Sequence, residues 1–473
     1  MRELLLLIFP LLILAKTFTG KVVDTEQKGI AFATITVATT SCSTISDING
    51  AFKLDCEKNL NGGMLTGAKN GYLIGATNLD NNQSFYKIVL EKVPQSDNPH
   101  YRWIDATDTK DARACRKCHE KLTKQWLESA HGSSAQNEAF KTIFDTLYRA
   151  DFKHSKGNCA SCHQPMGADK SIGCDFCHKI YRVTPKKNLT GILAVELRRP
   201  FGEKNIVFGS LKDAYTREDS YSPLYQSSQY CASCHSGHFW DEEVYSEYSE
   251  WQRSRYSKNG VTCQKCHMPS DMKERFIVPK EHGGLEREAG AFHSHLFKAS
   301  KDRDFLKAAL DVNVSLQRGE TFDVSVTLEN IGAGHEYPTG TPLHHLLLTL
   351  EPKDCNGNAT RMLQGEYLPR WSMKEKKTGS IFAKVYRSSL AYTQNSAHFK
   401  PLYPNPYWRP SQLEYNSRLQ PHKPILKKFI FEKKSAEVNI KVIYRRIFAS
   451  WTNKEIDNDI ILFEKALKGV PCE

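Results

Sequence analysis

Beyond residue 15 the chain has no long apolar run. Hydrophobic residues fill only 40% of its 473 positions, and nothing downstream approaches the roughly 20 consecutive apolar residues a membrane-spanning helix needs. The one apolar run, Leu4 to Ala15, follows Arg2 and precedes polar residues. It is too short to span a bilayer comfortably and reads as a secretory leader, expected over residues 1–17. No cysteine follows it, which argues against a lipid anchor. The mature chain is therefore expected to be exported, to periplasm or cell surface, with no transmembrane segment. Also missing is a basic stripe with interleaved aromatics. The formal charge of +12 alone would suggest nucleic acid, but without such a stripe nucleic acid is not an expected partner. The length suggests two to four domains, and the low apolar content suggests cores that rely partly on something other than protein.

What the chain has in quantity is cysteine, fourteen in all. Ten fall in five Cys-x-x-Cys-His units: Cys115, Cys118 and His119; Cys159, Cys162 and His163; Cys174, Cys177 and His178; Cys231, Cys234 and His235; Cys263, Cys266 and His267. A disulfide knot does not need a histidine after every second cysteine. A closed zinc site joins two Cys-x-x-Cys pairs into one tetrahedron, and five pairs do not divide that way. Covalent haem explains each residue type, because two thiols add to the two vinyl groups and the next histidine becomes the iron's proximal ligand. The cofactor expectation is five covalently bound haem c groups. Two units only fifteen residues apart, at Cys159 and Cys174, hold their haems on a short tether and so close in space. Five haems bring ten propionates against the charge of +12, leaving +2 before the irons are counted; much of the Lys and Arg surplus is then expected to pair with propionates. Cys42, Cys56, Cys355 and Cys472 remain, an even number that fits two disulfides, Cys42–Cys56 and Cys355–Cys472.

Three regions follow from periodicity. Residues 18–92 alternate at Ala33, Ile35 and Val37 and turn at Asp47–Gly50, so they read as strands. Residues 93–99 read as a linker. Residues 100–300 hold every haem unit at about forty residues each, too few for an ordinary core, so porphyrins are expected to be the core among helices and irregular loops. Helical lengths run from Cys118 to Ala130 and from Asp241 to Arg255. Trp126 to His131 is weakly echoed by Trp251 to Tyr256, with tyrosine in place of histidine. Residues 306–473 return to alternation at Leu310–Leu316, Phe322–Leu328 and Val438–Val442, with a terminal helix expected over Asn453–Leu467. The fold class is multidomain: an N-terminal β-sandwich, a central haem-packed, mainly α and irregular cytochrome c region, and a C-terminal β-sandwich.

Each iron has a second axial position. Twelve histidines lie outside the motifs, enough to close every iron, and closed irons favour electron transfer over chemistry. The metal-ligand candidates beyond the five motif histidines are His131 in "SAHG", His335 in "GAGHEYPTG", His295 in "FHSHLF" and His282, followed by His293, His154 and His238. His344 and His345 read as packing at the start of an apolar strand, as does Met268; Met166 is better placed but a weaker candidate.

The segment Gly20-x-Val22-x-Asp24, the turn Asp47-x-x-Gly50-x-Phe52 and Gly71-Tyr72 resemble a carboxypeptidase regulatory-like domain, which implies a non-catalytic spacer or docking unit. The stretches CRKCHEKLTKQWLESAHG, IGCDFCH, CASCHSGH and EWQRSRYSKNGVTCQKCHMP resemble multihaem c-type cytochromes of the class that includes the tetrahaem electron acceptor of hydroxylamine oxidoreductase. ENIGAGHEYPTGTP, SRLQPHKP and VIYRR resemble the β-domain that follows such regions. The resemblance implies electron relay between redox partner proteins, through mostly bis-histidine haems. No catalytic residue is nominated, and an electron carrier is preferred to a substrate-converting enzyme. The main rival is an oxidoreductase with one open haem acting on a small nitrogen or sulfur compound. The chain lacks the Cys-x-x-Cys-Lys unit that some nitrite reductases use. A third reading is a surface-binding redox protein docked through its β-domains.

Overall fold

The computed structural model describes residues 16–56, 63–80, 82–153, 157–184, 189–202, 204–373, 375–390, 399–451 and 459–469. The expected leader lies almost wholly outside them. At its boundary, Lys16 and Thr17 already belong to the first strand, Lys16–Asp24, with Lys16 paired to Cys56.

That strand lies between Ala51–Cys56, antiparallel, and Phe85–Leu90, parallel. A second sheet runs Ser43–Ile45, Thr34–Val37, Met64–Ala68, Gly75–Asn78. Side chains alternate across each strand, and Phe18, Val22, Ile35, Leu54, Leu65 and Ile88 from the two sheets close one core. Gly50 turns the chain at φ +83°, where a Cβ would meet the Val22 carbonyl oxygen at 2.4 Å, so glycine is needed there. The turn joins strands of different sheets, and the Cys42–Cys56 disulfide ties one sheet to the other, with Cα atoms 5.6 Å apart.

The central region is built mostly of short elements. Among the described residues its longest regular α-helix is Glu120–Glu128, with nine residues, and one longer stretch runs on from Glu138–Lys141 through a π-helical middle, Thr142–Tyr148, to Arg149–Asp151. The segment expected to be helical from Asp241 instead forms a strand, Glu242–Tyr245, paired with Gly237–Phe239, and then a helix, Glu247–Arg253. Apolar clusters here are small, such as Phe176, Ile180, Val183 and Leu197. Buried charge fills in: Lys179 donates to Asp175 at 2.5 Å with both side chains out of solvent.

After residue 309 two four-stranded sheets face a common core. One runs Leu310–Arg318, Phe322–Asn330, Ile425–Phe431, Met362–Gln364; the other Thr378–Phe382, His345–Lys353, Glu437–Arg445, Ile460–Lys468. Phe322, Val324, Val326 and Leu328 point inward against Leu346, Leu348, Val438, Ile440 and Val442. The expected terminal helix is a strand where it is described. Ile460, Phe463 and Leu467 are spaced as on a helix face, but the open edge of Glu437–Arg445 captures Ile460–Lys468, pairing Val442 with Phe463 and Val438 with Leu467. Cys355 is disulfide-bonded; its expected partner, Cys472, lies outside the described residues. No helix among the described residues is long and apolar enough to cross a membrane.

The outer regions grip the centre. Leu73 and Val93 pack on Ile206 and Phe208, and Ile74 N–H donates to the Asp219 carbonyl at 2.8 Å. On the other side Arg409 and Trp408 hold the buried Asp151 carboxylate, through bonds of 2.7–2.8 Å. Leu73→Ala should remove the support behind Phe208 and cost about 2 kcal/mol, read as a lower denaturation midpoint.

Candidate functional site

Each Cys-x-x-Cys-His unit is a single helical turn. Gly157–His163, Cys174–Cys177 and Cys263–His267 are α-helical; Cys115–Lys117 and Ser228–Ser233 are tighter 3-10 turns. Residues i, i+3 and i+4 share one helix face, so this spacing sets two thiols and an imidazole side by side. The backbone N–H groups of His119, His178 and His235 donate to the carbonyl of the first cysteine of their own unit, at 2.7, 2.9 and 3.0 Å. All ten motif cysteines are free thiols.

The five motif histidines are held in one way, through Nδ1. His119 donates to the carbonyl of Ile277 at 3.1 Å, His163 to Ser134 at 3.3 Å, His178 to Phe208 at 2.6 Å and His267 to Lys298 at 2.6 Å. His235 donates instead to the Glu247 carboxylate, at 3.1 Å. A carbonyl or carboxylate only accepts, so Nδ1 carries the proton and Nε2 keeps its lone pair. None of these Nε2 atoms makes a hydrogen bond among the described residues. Burial holds His163 and His178 below the usual imidazole range and brings His267 down to about 4. Neutral imidazole is the form a metal needs. His235 moves the other way: burial opposes its charge, but the Glu247 carboxylate more than offsets that.

Two of the expected outer histidines meet motif histidines across a gap. The His131 ring lies 6.3 Å from that of His235, centroid to centroid, and packs on Phe297 at 4.4 Å. Burial, with the nearby His235 charge, takes His131 down to about 3. The His335 ring lies 6.3 Å from that of His267, tilted by 20°. An imidazole nitrogen about 2 Å from a metal puts its ring centroid roughly 3 Å away, so two imidazoles on opposite sides of one metal lie roughly 6 Å apart. Both pairs have that span. Free paired thiols, Nδ1-anchored imidazoles and these gaps fit covalently attached haem.

His295 is half-buried; the desolvation of its ring takes it down to about 4, and it lies within the field of His178. Its Nδ1 donates to the His293 carbonyl at 3.0 Å. His293 donates to the Met268 carbonyl at 2.8 Å. His282 ends the short turn Lys280–His282 at the surface and meets no other histidine ring among the described residues. His238 sits in the strand Gly237–Phe239. His154 lies outside the described residues. His345 is fully buried and His344 packs on Tyr444 at 5.5 Å. Met166 joins an apolar cluster.

The thiols show which units are neighbours. Cys115 interacts with Cys174, Cys162 with Cys234 and Cys263 with Cys231, and in each pair the first thiol is held below its usual value by the second. Cys177 acts on both Cys231 and Cys234. The first unit therefore adjoins the third, the third adjoins the fourth, and the fourth touches the second and the fifth.

The echo around Trp126 and Trp251 is a repeated device. Ser129 and Ser254 end their helices at ψ 165° and 162°, and their hydroxyls donate back to the tryptophan carbonyls at 2.6 and 2.7 Å. Each indole N–H donates at 2.8 Å to a carbonyl, Ile172 or Val261. Those residues stand two before Cys174 and two before Cys263. A tryptophan-bearing helix that follows one motif thus pins the approach to another.

Several residues at the site were not singled out in advance. Glu247 has no sequence signal, since it lies twelve residues beyond His235. Glu250, buried, accepts from Arg418 at 2.7 Å and from the Glu336 N–H at 3.0 Å, and so fixes the loop bearing His335. Asn330, fully buried, donates to the His335 carbonyl at 2.8 Å. A Cβ on Gly334 would meet the Tyr256 ring at 3.2 Å, a close approach that the glycine-rich loop had suggested.

No family model matches the sequence, and no curated protein is similar to it at the level of sequence. Among solved structures, a penta-heme cytochrome c552 from Thermochromatium tepidum superposes with a TM-score of 0.55, over 75% of this chain and 97% of that one, at 18% identity. The two chains share a fold. A quarter of the present chain lies outside the match.

Glu250→Ala should leave the buried Arg418 guanidinium paired with the Glu336 carboxylate but strip the Glu336 N–H of its acceptor, at a cost of about 2 kcal/mol, seen as a lower thermal midpoint.

Proposed function

We propose that the chain is an exported c-type cytochrome that carries five covalent haems and relays electrons between redox partner proteins. The observation that carries this reading is the shared anchoring of five motif histidines through Nδ1, with Nε2 left over and, in two cases, a second imidazole 6.3 Å away. The fold shared with a penta-heme cytochrome supports it.

In this reading Cys115 and Cys118, Cys159 and Cys162, Cys174 and Cys177, Cys231 and Cys234, and Cys263 and Cys266 form the thioether bonds. His119, His163, His178, His235 and His267 hold the irons from one side, and His131 and His335 close two of them from the other. His295 serves a third, in the neighbourhood of His178. A bound haem c supplies a one-electron iron couple. The chain's task is to fix the donors, keep them neutral and keep water away, so that potentials follow from ligation, burial and nearby charge. Thiol contacts support a relay order of first, third and fourth unit, branching to the second and fifth. The regions 18–92 and 306–473 are read as β-sandwiches that brace the centre. The carboxypeptidase regulatory-like unit does more than space or dock, because Phe208, whose carbonyl holds His178, packs against it.

One observation favours a second reading, an oxidoreductase with an open iron. His163 stacks flat on Phe140 at 4.1 Å, and Cys159 joins the cluster of Tyr245 and Tyr407, whose hydroxyls are 3.0 Å apart. Carbon monoxide added to the reduced protein separates the two: unchanged bands support the relay, and a shifted Soret band supports the open iron.

The mature protein should show a Soret band and a mass above the bare chain by five haems; a bare-chain mass would overturn the reading. His131→Ala and His335→Ala should each turn one low-spin iron high-spin without loss of a haem, as read by electron paramagnetic resonance. Unchanged spectra would remove these two residues from the ligand set.

A further inference from the structure

Four motif histidines give their Nδ1 proton to a neutral backbone carbonyl. His235 alone gives it to a carboxylate, Glu247 Oε1, at 3.1 Å. The acceptor is held inside the fold, with 12% of its side chain exposed, and its other oxygen, Oε2, is buried with no hydrogen-bond partner among the described residues. We propose that Glu247 is a positioning residue that makes His235 the strongest donor of the five and lowers the reduction potential of the iron it binds.

The inference rests on the reading that His235 ligates iron. A carboxylate drawing on the Nδ1 proton gives the ring imidazolate character and raises the basicity of Nε2. A stronger donor favours ferric over ferrous iron. A buried negative charge whose second oxygen is unsatisfied acts in the same direction, because little solvent screens it. Place adds weight. The Cys231–His235 unit touches the second, third and fifth units through its own thiols or their neighbours, so its potential bears on every route through the molecule. The short helix Glu247–Arg253 also reaches two units at once: Glu247 meets His235, and Glu250, one turn on, fixes the loop that carries His335 towards His267. One rigid turn thereby sets the donor at one iron and the outer ligand position at the next.

The test is a spectroelectrochemical titration of the mature five-haem protein and two variants. Glu247→Gln keeps an acceptor but removes the charge, and should move one midpoint most to more positive potential, with a smaller shift in the same direction at the neighbouring His267 unit, which the same carboxylate reaches. Glu247→Asp keeps the charge and should return that midpoint towards the wild-type value. If Glu247→Gln does not accumulate, near-infrared magnetic circular dichroism of the wild-type protein gives the answer, with one axial-ligand band displaced to higher energy. Five unchanged midpoints in Glu247→Gln, or five matching bands in the wild type, would overturn the inference and leave the haem reading intact. A His235→Ala variant with all low-spin signals of the wild type would instead overturn the reading of His235 as a ligand.

Discussion

The organisation of this molecule depends on one hydrogen bond made five times: an imidazole Nδ1–H held by an oxygen of the surrounding chain. The bond selects the tautomer, orients the ring and leaves Nε2 available. The acceptors come from far away in sequence, Ile277 for His119 and Lys298 for His267. Any change that moves those distant segments therefore moves a donor atom. The two outer regions are built to prevent this. Phe208 holds His178 with its carbonyl and packs its ring against Leu73 and Val93. Glu250 and Asn330 hold the single peptide between His335 and Glu336, one by its N–H and the other by its carbonyl.

The repeated tryptophan helix shows how a region with little apolar core is assembled. A helix after the first motif pins the chain before the third, and a helix after the fourth pins the chain before the fifth. The thiol pairs Cys115–Cys174 and Cys231–Cys263 fall in the same places. The same local solution is used twice, with His131 in one copy and Tyr256 in the other. His131 meets the motif histidine of the fourth unit; Tyr256 packs under Gly334 and donates to the Ile331 carbonyl at 3.2 Å, beside the loop of His335. Both positions thus serve the placement of an outer histidine, one as the histidine itself and one as its support.

Much of this was legible beforehand because it is local. Cys-x-x-Cys-His on one helical turn needs only the helix period, and period-two alternation located Phe322–Leu328 and Val438–Val442. His131 in "SAHG" and His335 in "GAGHEYPTG", where glycines permit close approach, were nominated from the sequence, and the structure sets each ring opposite a motif histidine. What could not be read depends on contacts between distant parts. Ile460–Lys468 carries a helix-like spacing that a free sheet edge overrides. The acceptors of the motif histidines are mostly backbone carbonyls, which leave no trace in residue type. Glu247 does have a telling type, but nothing local distinguishes it from Glu242, Glu243 or Glu250.

The central claim is that the chain folds around spaces whose walls are opposed histidines. Anomalous diffraction from crystals of the mature protein, collected at the iron absorption edge, tests it most directly. Five iron peaks are expected, one midway between the rings of His131 and His235 and one midway between those of His267 and His335. Iron at neither midpoint, or a peak count other than five, would contradict the account.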